Sequence, residues 1–387
     1  MFAPWPYFEE DEMTAVTDVL RSGKVNYWTG KEGKLFEQEF SNYHNIKHGI
    51  VIANGTLTLE LALYALNICA GDDVIVPSHT FLATASAVVA RGAKPVIADI
   101  HPDSNCVTAE TILAALTPQT KAVIVVHLAG WPCEMDEIIA LCQQHNLKLI
   151  EDCAQAHGAE YKGHKVGSLG DIASFSFCQD KIMTTGGEGG MVLTNDDALW
   201  EKMWSYKDHG KDYDTVFNTE HPAGFRWLHK KFGTNWRLTE MQSAIGRKQL
   251  QKLPQWLKLR QRNANILTDA FSNIKALRVP HVPKHMKHAN YKYYTYVRPE
   301  MLKADWSRDR IMQAITEKGI PCFSGGCSEI YLEDAFKTAG YAPVKRLPNA
   351  KANGENSLMF LVHPTLSKQN MLDVVIAVED VLCEASL

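Results

Sequence analysis

The strongest constraint on the fold is an alternation of two patterns between Gly49 and Asp196. Short apolar runs rich in β-branched residues are separated by longer stretches with the period of an amphipathic helix. Strands that alternate with helices predict a largely parallel sheet covered on both faces, which is an α/β fold. The predicted strands are GIVIAN, DDVIVPS, KPVIADI, KAVIVVHL, LKLIEDC, IASFSF and GGMVLTN, and the predicted helices between them include LTLELALYALNIC and MDEIIALCQQHN.

The second part of the chain has a different pattern. The stretch from Trp204 to Thr234 is polar and aromatic without a clear period, which predicts a long functional or interface loop. A helical pattern then runs from about Thr239 to Phe271. After about Ile274, short strands (YKYYTYVRP, SLMFLVHPT) mix with helices (RDRIMQAITEKG, MLDVVIAVEDVLCE). We therefore expect a large domain with an N-terminal arm over 1–250, and a connecting helix with a smaller α+β domain over 251–387.

Charge and hydropathy narrow the class of protein. The formal net charge of −4 argues against a nucleic-acid-binding surface, which usually carries a basic excess. No apolar run approaches the roughly 20 residues that span a bilayer. The N-terminus becomes acidic at once and lacks a signal-peptide pattern, so we expect a cytoplasmic protein. The nine cysteines are scattered without zinc-site spacing, so we expect reduced thiols and no metal.

Lys181 stands between an aromatic strand and a run of glycines, in SFSFCQDKIMTTGGEGG. A partly desolvated lysine loses its proton and can bond covalently to a carbonyl carbon. If that carbonyl belongs to pyridoxal phosphate, the site also needs a carboxylate for the ring nitrogen, a phosphate cradle and an aromatic face. The glycines do not follow a strand in the order that a dinucleotide site requires, which argues against a hydride-transferring dehydrogenase.

Candidates for these three partners lie near predicted strand ends, where α/β sheets bind ligands. Asp152 is the carboxylate candidate, with Gln155 placed to contact the ring hydroxyl. The cradle candidate is ANGT, Ala53 to Thr56, where a strand gives way to a helix whose free amides face an anion. Ser176 can add a hydroxyl, and Phe81 can stack on a flat ring. Each has an ordinary alternative: a capping Asp, a plain Asn-Gly turn or a core Phe.

Together these motifs resemble the DegT/DnrJ/EryC1/StrS family of sugar aminotransferases over nearly the whole chain. The resemblance is carried by ANGT, PSHTFLATA, EDCAQAHGAEYKGHKVGSLGDIASFSF, Lys181 followed by TTGGEGGMVLTND, and NWRLTEMQSAIG. It implies the pyridoxal-phosphate fold type I, like aspartate aminotransferase, with a mostly parallel seven-stranded sheet, and a homodimer. It also implies roles for single residues: Lys181 bonds to the cofactor, Asp152 faces the ring nitrogen, Gln155 contacts the ring hydroxyl, Gly55, Thr56 and Ser176 hold the phosphate, Phe81 stacks on the ring, and Asn235 reaches the phosphate of the other subunit.

The lysine also selects a chemistry, because the family branch that removes a hydroxyl group carries histidine at this position. The resemblance therefore implies transamination from L-glutamate to a keto or aldehydo sugar, with Lys181 as the base and acid that moves the proton. A non-catalytic pyridoxal-phosphate-binding regulator is the alternative of a different class. His127 and His157 also lie near strand ends, and we expect both to be structural.

The opening stretch, PWPYFEEDEMTAVTDVLRSGKVNYWTGKEG, looks most like a branch of the family that acts on 3-deoxy-octulosonate. This implies amination of 3,8-dideoxy-8-oxo-manno-octulosonate for lipopolysaccharide; the alternative is a nucleotide-linked 4-keto-6-deoxy sugar. Many family members carry a histidine segment in the small domain, whereas this chain has GIPCFSGGCSEIYLEDAF. Candidate substrate contacts are Tyr27 and Trp28, Ser328, Glu329 and Tyr331, and the cations Lys31, Lys34, His209 and Lys211, each with a structural or solvated alternative.

Overall fold

The computed structural model describes residues 2–387. Its helices are α1 (Glu10–Ser22), α2 (Glu32–His44), α3 (Gly55–Ala65), α4 (Ala83–Ala90), α5 (Ala109–Ala114), α6 (Met135–Gln144), α7 (Asp197–Lys207), α8 (Tyr213–Phe217), α9 (Glu240–Phe271), α10 (Arg308–Glu317), α11 (Asp334–Ala339), α12 (Pro348–Asn356) and α13 (Lys368–Ala385). Its strands are β1 (His48–Ile52), β2 (Asp73–Pro77), β3 (Lys94–Ala98), β4 (Thr120–Val126), β5 (Lys148–Asp152), β6 (Glu160–Tyr161), β7 (His164–Lys165), β8 (Ile172–Ser176), β9 (Gly190–Thr194), β10 (Leu277–Arg278), β11 (Met286–Lys287), β12 (Tyr293–Val297), β13 (Cys322–Phe323) and β14 (Ser357–Phe360).

All seven strands predicted from the sequence form one sheet in the order β1-β9-β8-β5-β4-β2-β3. Strands β3, β2, β4, β5 and β8 pair in parallel, whereas β9 runs antiparallel to both of its neighbours. Because the parallel strands share one direction, their carboxyl ends meet at the same edge of the sheet. The predicted α/β class and the mostly parallel seven-stranded sheet are confirmed.

Both faces of this sheet are buried, which explains why its strands read as continuous apolar runs. Val74 and Val76 of β2 face one cluster, which also contains residues of α3 and α4. Ile75, between them, faces the other side and packs in the cluster that contains Ile138 of α6. Successive side chains of a strand point to opposite faces, so helices are required on both sides.

Helix α9 connects the large sheet to a second sheet. Thr239 caps it, with its hydroxyl accepting a hydrogen bond from Gln242 N at 3.4 Å. Leu253 packs with residues of the large sheet, whereas Phe271 packs with the four-stranded sheet of order β10-β12-β14-β13. The predicted domain boundary at about residue 250 therefore falls inside a continuous helix, and the division into 1–250 and 251–387 stays a prediction.

The predicted unstructured stretch from Trp204 to Thr234 is partly wrong. Helix α7 continues to Lys207, and α8 forms within the stretch. Buried aromatic contacts stabilise both helices: Trp204 is 4% exposed, and its ring lies 5.0 Å from that of Tyr213. The sequence shows no helical period here, because the contacts that stabilise these helices come from a few aromatic side chains in an otherwise polar segment.

Two expectations about the whole chain can be compared directly with the structure. All nine cysteines are free, as predicted. Within residues 2–387, every helix is too short or too polar to cross a lipid bilayer.

Candidate active site

The predicted site residues lie at the carboxyl edge of the large sheet, and the first group of them stands at the start of α3. Asn54 caps this helix, with its side-chain oxygen accepting a hydrogen bond from Leu57 N at 3.0 Å. Ser176, at the end of β8, lies against Gly55: a Cβ atom built on Gly55 would stand 2.6 Å from Ser176 Cβ. Only glycine permits this approach. It brings Gly55, exposed Thr56 and the Ser176 hydroxyl together at the positive end of a helix dipole.

Asp152 and Gln155 follow β5, next to the middle of the sheet. Asp152 is 4% exposed, and its carboxylate accepts hydrogen bonds from Thr84 Oγ1 at 3.0 Å and Ala154 N at 3.1 Å. Burial raises the pKa of Asp152, although these hydrogen bonds and the nearby Lys181 charge act in the opposite direction. Gln155 uses its side-chain oxygen to accept a hydrogen bond from Ala129 N at 2.8 Å, which leaves its NH2 group as a donor.

Lys181 lies in the turn that follows β8. Its side chain is 16% exposed, and its Nζ lies 3.8 Å from Asp180 Oδ1 and 5.2 Å from the centre of the Tyr291 ring. The backbone carbonyl of Lys181 accepts a hydrogen bond from Trp5 Nε1 at 2.8 Å, so the N-terminal arm closes over this turn. The Lys181 charge is one of the influences that lower the pKa of Asp152, so the lysine and the predicted ring-facing acid lie in the same neighbourhood.

The aromatic candidate, Phe81, is 72% exposed, whereas the three residues before it are buried. An exposed phenylalanine at this position rules out the ordinary alternative of a core side chain. It lies between β2 and α4, a helix that the sequence did not predict because its surface is apolar nearly all round. The ring therefore has a free face at the same sheet edge as Asp152.

Asn235 lies near the cradle, and its side chain is exposed. The next residue, Trp236, accepts a hydrogen bond from Ala53 N at 2.9 Å through its carbonyl oxygen. The side chain of Asn235 is exposed and makes no hydrogen bond to any residue from 2 to 387. A single chain thus places seven of the eight predicted site residues at this sheet edge and leaves the side chain of the eighth exposed without a hydrogen bond.

The sequence of this chain matches the DegT/DnrJ/EryC1/StrS aminotransferase family over residues 6–379. The chain belongs to this family. An aminotransferase from Psychrobacter cryohalolentis, known from an X-ray structure, is 53% identical and matches 99% of both chains with a TM-score of 0.98. The GDP-perosamine synthase of Caulobacter vibrioides is 36% identical over 362 residues, or 92% of both chains. The X-ray structure of S. venezuelae DesV in complex with a ketimine intermediate is 32% identical, covers 95% of this chain and 93% of that one, and has a TM-score of 0.84.

This DegT/DnrJ/EryC1/StrS member is a pyridoxal-phosphate-dependent sugar aminotransferase. Its geometry fits the cofactor. The close contact at Gly55 brings the Ser176 hydroxyl to the start of a helix, where an anion is favoured, and a buried carboxylate, an exposed aromatic ring and a lysine stand at the same edge of the sheet. These are the three partners and the amine that the cofactor requires.

Glu151, which sequence reasoning overlooked, is a fully buried acid next to Asp152 at the end of β5. Its buried carboxylate accepts hydrogen bonds from His127 Nε2 at 3.1 Å and from the backbone N–H groups of Gly167, Leu169 and Gly170 at 2.8, 2.7 and 2.7 Å. Burial alone would raise the pKa of Glu151, but the hydrogen bonds from His127 and the backbone lower it below the ordinary value. Only the burial and the donors, which are invisible in the sequence, distinguish Glu151 from a surface acid.

The two histidines near the site are structural, as expected. His127 accepts a hydrogen bond from Cys133 N at 3.0 Å on one ring nitrogen and bonds to Glu151 with the other. His127, Glu151 and Cys153 lie within reach of one another, but the Glu151 oxygens are already taken by four N–H donors. His157 is fully buried against Phe175, at 5.5 Å between ring centres, and burial lowers its pKa to about 3.

Several predicted substrate contacts are instead internal contacts of the fold. Tyr27 is 3% exposed and donates a hydrogen bond to Glu37 at 2.9 Å, so it does not cover a sugar in this chain. Trp28 donates to Asp208 at 3.1 Å, and the Lys211 ammonium lies 3.9 Å from the centre of the Trp28 ring. Lys31, Lys34 and His209 are exposed.

The small-domain candidates are structural as well. Glu329 is 5% exposed, pairs with Arg346 and accepts a hydrogen bond from the Tyr331 hydroxyl. Ser328 is 6% exposed. In the same segment, Gly326 N donates a hydrogen bond to the Tyr294 hydroxyl at 2.9 Å.

Proposed function

We propose that this sugar aminotransferase transfers an amino group from L-glutamate to 3,8-dideoxy-8-oxo-manno-octulosonate. The product is 8-amino-3,8-dideoxy-manno-octulosonate, a sugar acid of lipopolysaccharide. The observation that carries the amino transfer is the convergence of Lys181, Asp152 and the Gly55–Ser176 contact at one sheet edge. A cytoplasmic location stays a prediction from the sequence.

Each residue of the site has a separate role in the proposed reaction. When bound, pyridoxal phosphate supplies an electron sink for the charge that develops at the substrate carbon. Asp152 would keep the ring nitrogen protonated, and the NH2 group of Gln155 would donate to the ring hydroxyl. Gly55, Thr56 and Ser176 would hold the phosphate, and Phe81 would cover the ring. Lys181 would hold the cofactor and serve as the base and acid that moves the substrate proton.

The preference for an acidic acceptor has one structural support. Lys292 is half-buried, and its ammonium lies 4.8 Å from the centre of the Tyr291 ring that also faces Lys181. Within residues 2–387 this ammonium makes no hydrogen bond and no ion pair shorter than 4.0 Å, and the nearby acid Asp180 acts on it only from a longer distance. A desolvated cation beside the reacting lysine favours substrates that carry a carboxylate, as glutamate and the octulosonate both do.

A nucleotide-linked 4-keto-6-deoxy sugar is the second candidate acceptor. It is favoured by the names of relatives, among them the GDP-perosamine synthase of Caulobacter vibrioides and a dTDP-3-amino-3,4,6-trideoxy-alpha-D-glucose transaminase of Streptomyces venezuelae, 33% identical over 96% of this chain. Fold similarity does not decide between the two acceptors, because substrate contacts vary on a shared scaffold.

We also propose that the active enzyme is a homodimer with a shared site. The exposed side chain of Asn235 supports this, since it makes no hydrogen bond to residues 2–387 of its own chain. The same segment exposes three aromatic side chains, Phe225, Trp227 and Phe232, at 79%, 85% and 99%. Such a cluster is unusual on a free surface and suits contact with a second copy.

The test is an absorbance experiment on the purified protein loaded with pyridoxal phosphate. L-glutamate should bleach the cofactor band, and 3,8-dideoxy-8-oxo-manno-octulosonate should restore it. If only a nucleotide-linked keto sugar restores the band, the octulosonate proposal is wrong. If no amino donor changes the band, the protein is a cofactor-binding regulator and not a transaminase.

A further inference from the structure

Asp180, which precedes the reacting lysine, brings a second carboxylate to the site. Its Oδ1 lies 3.8 Å from Lys181 Nζ. Its other oxygen accepts a hydrogen bond from the Tyr291 hydroxyl. The ring of Tyr291 lies under the Lys181 ammonium, 5.2 Å from its centre. Lysine, acid and phenol therefore form one contacting group.

The Tyr291 side of this group is anchored to the large sheet. Tyr291 N donates a hydrogen bond to the carbonyl oxygen of Ala129 at 2.8 Å. Ala129 N in turn donates to the side chain of Gln155 at 2.8 Å. Tyr291 is itself 7% exposed, so its hydroxyl has a fixed position. A tyrosine distant in sequence thus holds the Asp180 carboxylate beside the lysine, although Asp180 itself is 54% exposed.

The other charged and titratable groups around Lys181 do not replace Asp180. Asp152 is held by Thr84 and Ala154. Lys292 and Arg260 are cations near Asp180, and burial lowers the pKa of each. His157 is uncharged at neutral pH, since burial lowers its pKa to about 3. Within residues 2–387, Asp180 is the carboxylate that pairs with Lys181.

Asp180 itself remains ionised. Burial would raise its pKa, but the Lys181 charge and the Tyr291 hydrogen bond lower it below the ordinary value. A negative charge at 3.8 Å stabilises a positive nitrogen by an amount that depends on how much water screens the pair. The half-exposed carboxylate has a moderate effect, larger than that of a fully solvated ion pair.

We propose that Asp180, held in place by Tyr291, is a positioning residue that sets the pH at which the cofactor absorbance band of the loaded protein titrates. The negative carboxylate would favour the protonated form of the nitrogen that joins Lys181 to the cofactor. Asp180 does not exchange the proton itself. The inference rests on the proposed function, because it assumes that Lys181 bonds to pyridoxal phosphate.

The test is a pH titration of the cofactor absorbance band in the loaded protein, without substrate. Asp180→Asn keeps the size of the side chain and removes its charge, so the midpoint should move to lower pH by about one unit. Tyr291→Phe should move it in the same direction by less, because the freed carboxylate turns toward water. Glu188→Gln is the matched control: Glu188 is an exposed acid of the same glycine-rich turn without an ion pair to Lys181, and its loss should leave the midpoint unchanged.

A midpoint in Asp180→Asn that coincides with that of the wild type would overturn the inference. Asp180→Glu should restore the wild-type direction, which separates the effect of charge from that of altered packing. This failure is distinguishable from failure of the proposed function. A wild-type band that responds to glutamate while Asp180→Asn titrates normally removes only the role of Asp180, whereas a wild-type protein without a glutamate-sensitive band removes the proposed function.

Discussion

Replacement of Glu151 by glutamine tests whether this buried acid supports the site. The wild-type carboxylate accepts four hydrogen bonds, two on each oxygen: Leu169 N and Gly170 N on one, His127 Nε2 and Gly167 N on the other. Glutamine has one oxygen, and its NH2 group must take the other position. In either orientation of the glutamine amide, two of the four N–H donors then point at the NH2 group instead of at an oxygen atom.

The magnitude follows from these two lost acceptors. Each buried donor left without a partner costs about 1–3 kcal/mol. We therefore expect Glu151→Gln to lose about 2–6 kcal/mol of unfolding free energy for the two donors together, which is a large part of the roughly 5–15 kcal/mol of a typical domain.

The assay is urea unfolding followed by circular dichroism, with and without saturating pyridoxal phosphate. Glu160→Gln is the control, since Glu160 pairs with Lys287 near the surface at 3.2 Å, and it should leave the unfolding midpoint nearly unchanged. A Glu151→Gln midpoint equal to that of the control would refute the reasoning, because two unpaired buried donors cannot be free of cost.

The pH dependence gives an independent check with a defined sign. The pKa of Glu151 is lower in the folded state than its ordinary value, so its contribution is complete above the ordinary value and is lost as the pH falls through the folded-state value. The stability difference between wild type and Glu151→Gln should be full at neutral pH and shrink in acid. A difference that grows in acid contradicts the assigned ionisation.

Three further outcomes are expected. Lys181→Ala should fold and retain noncovalent cofactor but lose transamination; near-normal turnover of a glutamate and keto-sugar pair would remove Lys181 from its role as the base. Asn235→Ala should weaken cofactor retention measured by dialysis, and mixing it with Lys181→Ala should recover part of the activity in heterodimers; no recovery in confirmed heterodimers contradicts a shared site. Trp5→Phe keeps an aromatic ring but removes the N–H that bonds to the Lys181 carbonyl, so it should cost about 0.5–1.5 kcal/mol, read as a lower urea midpoint; an unchanged midpoint contradicts this contribution.

Much of the candidate site was readable from the sequence because its residues are local to strand ends. Lys181, Asp152 and Ser176 each stand within a few residues of a strongly apolar strand, and the parallel arrangement puts those ends at one edge. Asp180 was equally visible in the sequence, yet nothing there distinguished it from a solvated acid. Its partner Tyr291 is 111 residues away and belongs to a different part of the fold.

The substrate candidates show the opposite situation. Tyr27 and Glu329 were attractive because polar and aromatic groups occur at substrate sites, but both are turned inward and satisfied by neighbours. A side chain of a loop can face either direction at little local cost, so tertiary packing decides its orientation.

The sequence by itself determined the α/β class, the seven strands of the large sheet and the family of sugar aminotransferases, because hydrophobic periodicity and short motifs are properties of neighbouring residues. Only the tertiary structure decided which acids are buried, which cations lack partners and which aromatic rings are free. These properties depend on contacts between residues far apart in the chain. Glu151 and Asp152 illustrate the difference: they are adjacent acids in the sequence, but the fold turns one toward four backbone and histidine donors and the other toward the cofactor edge.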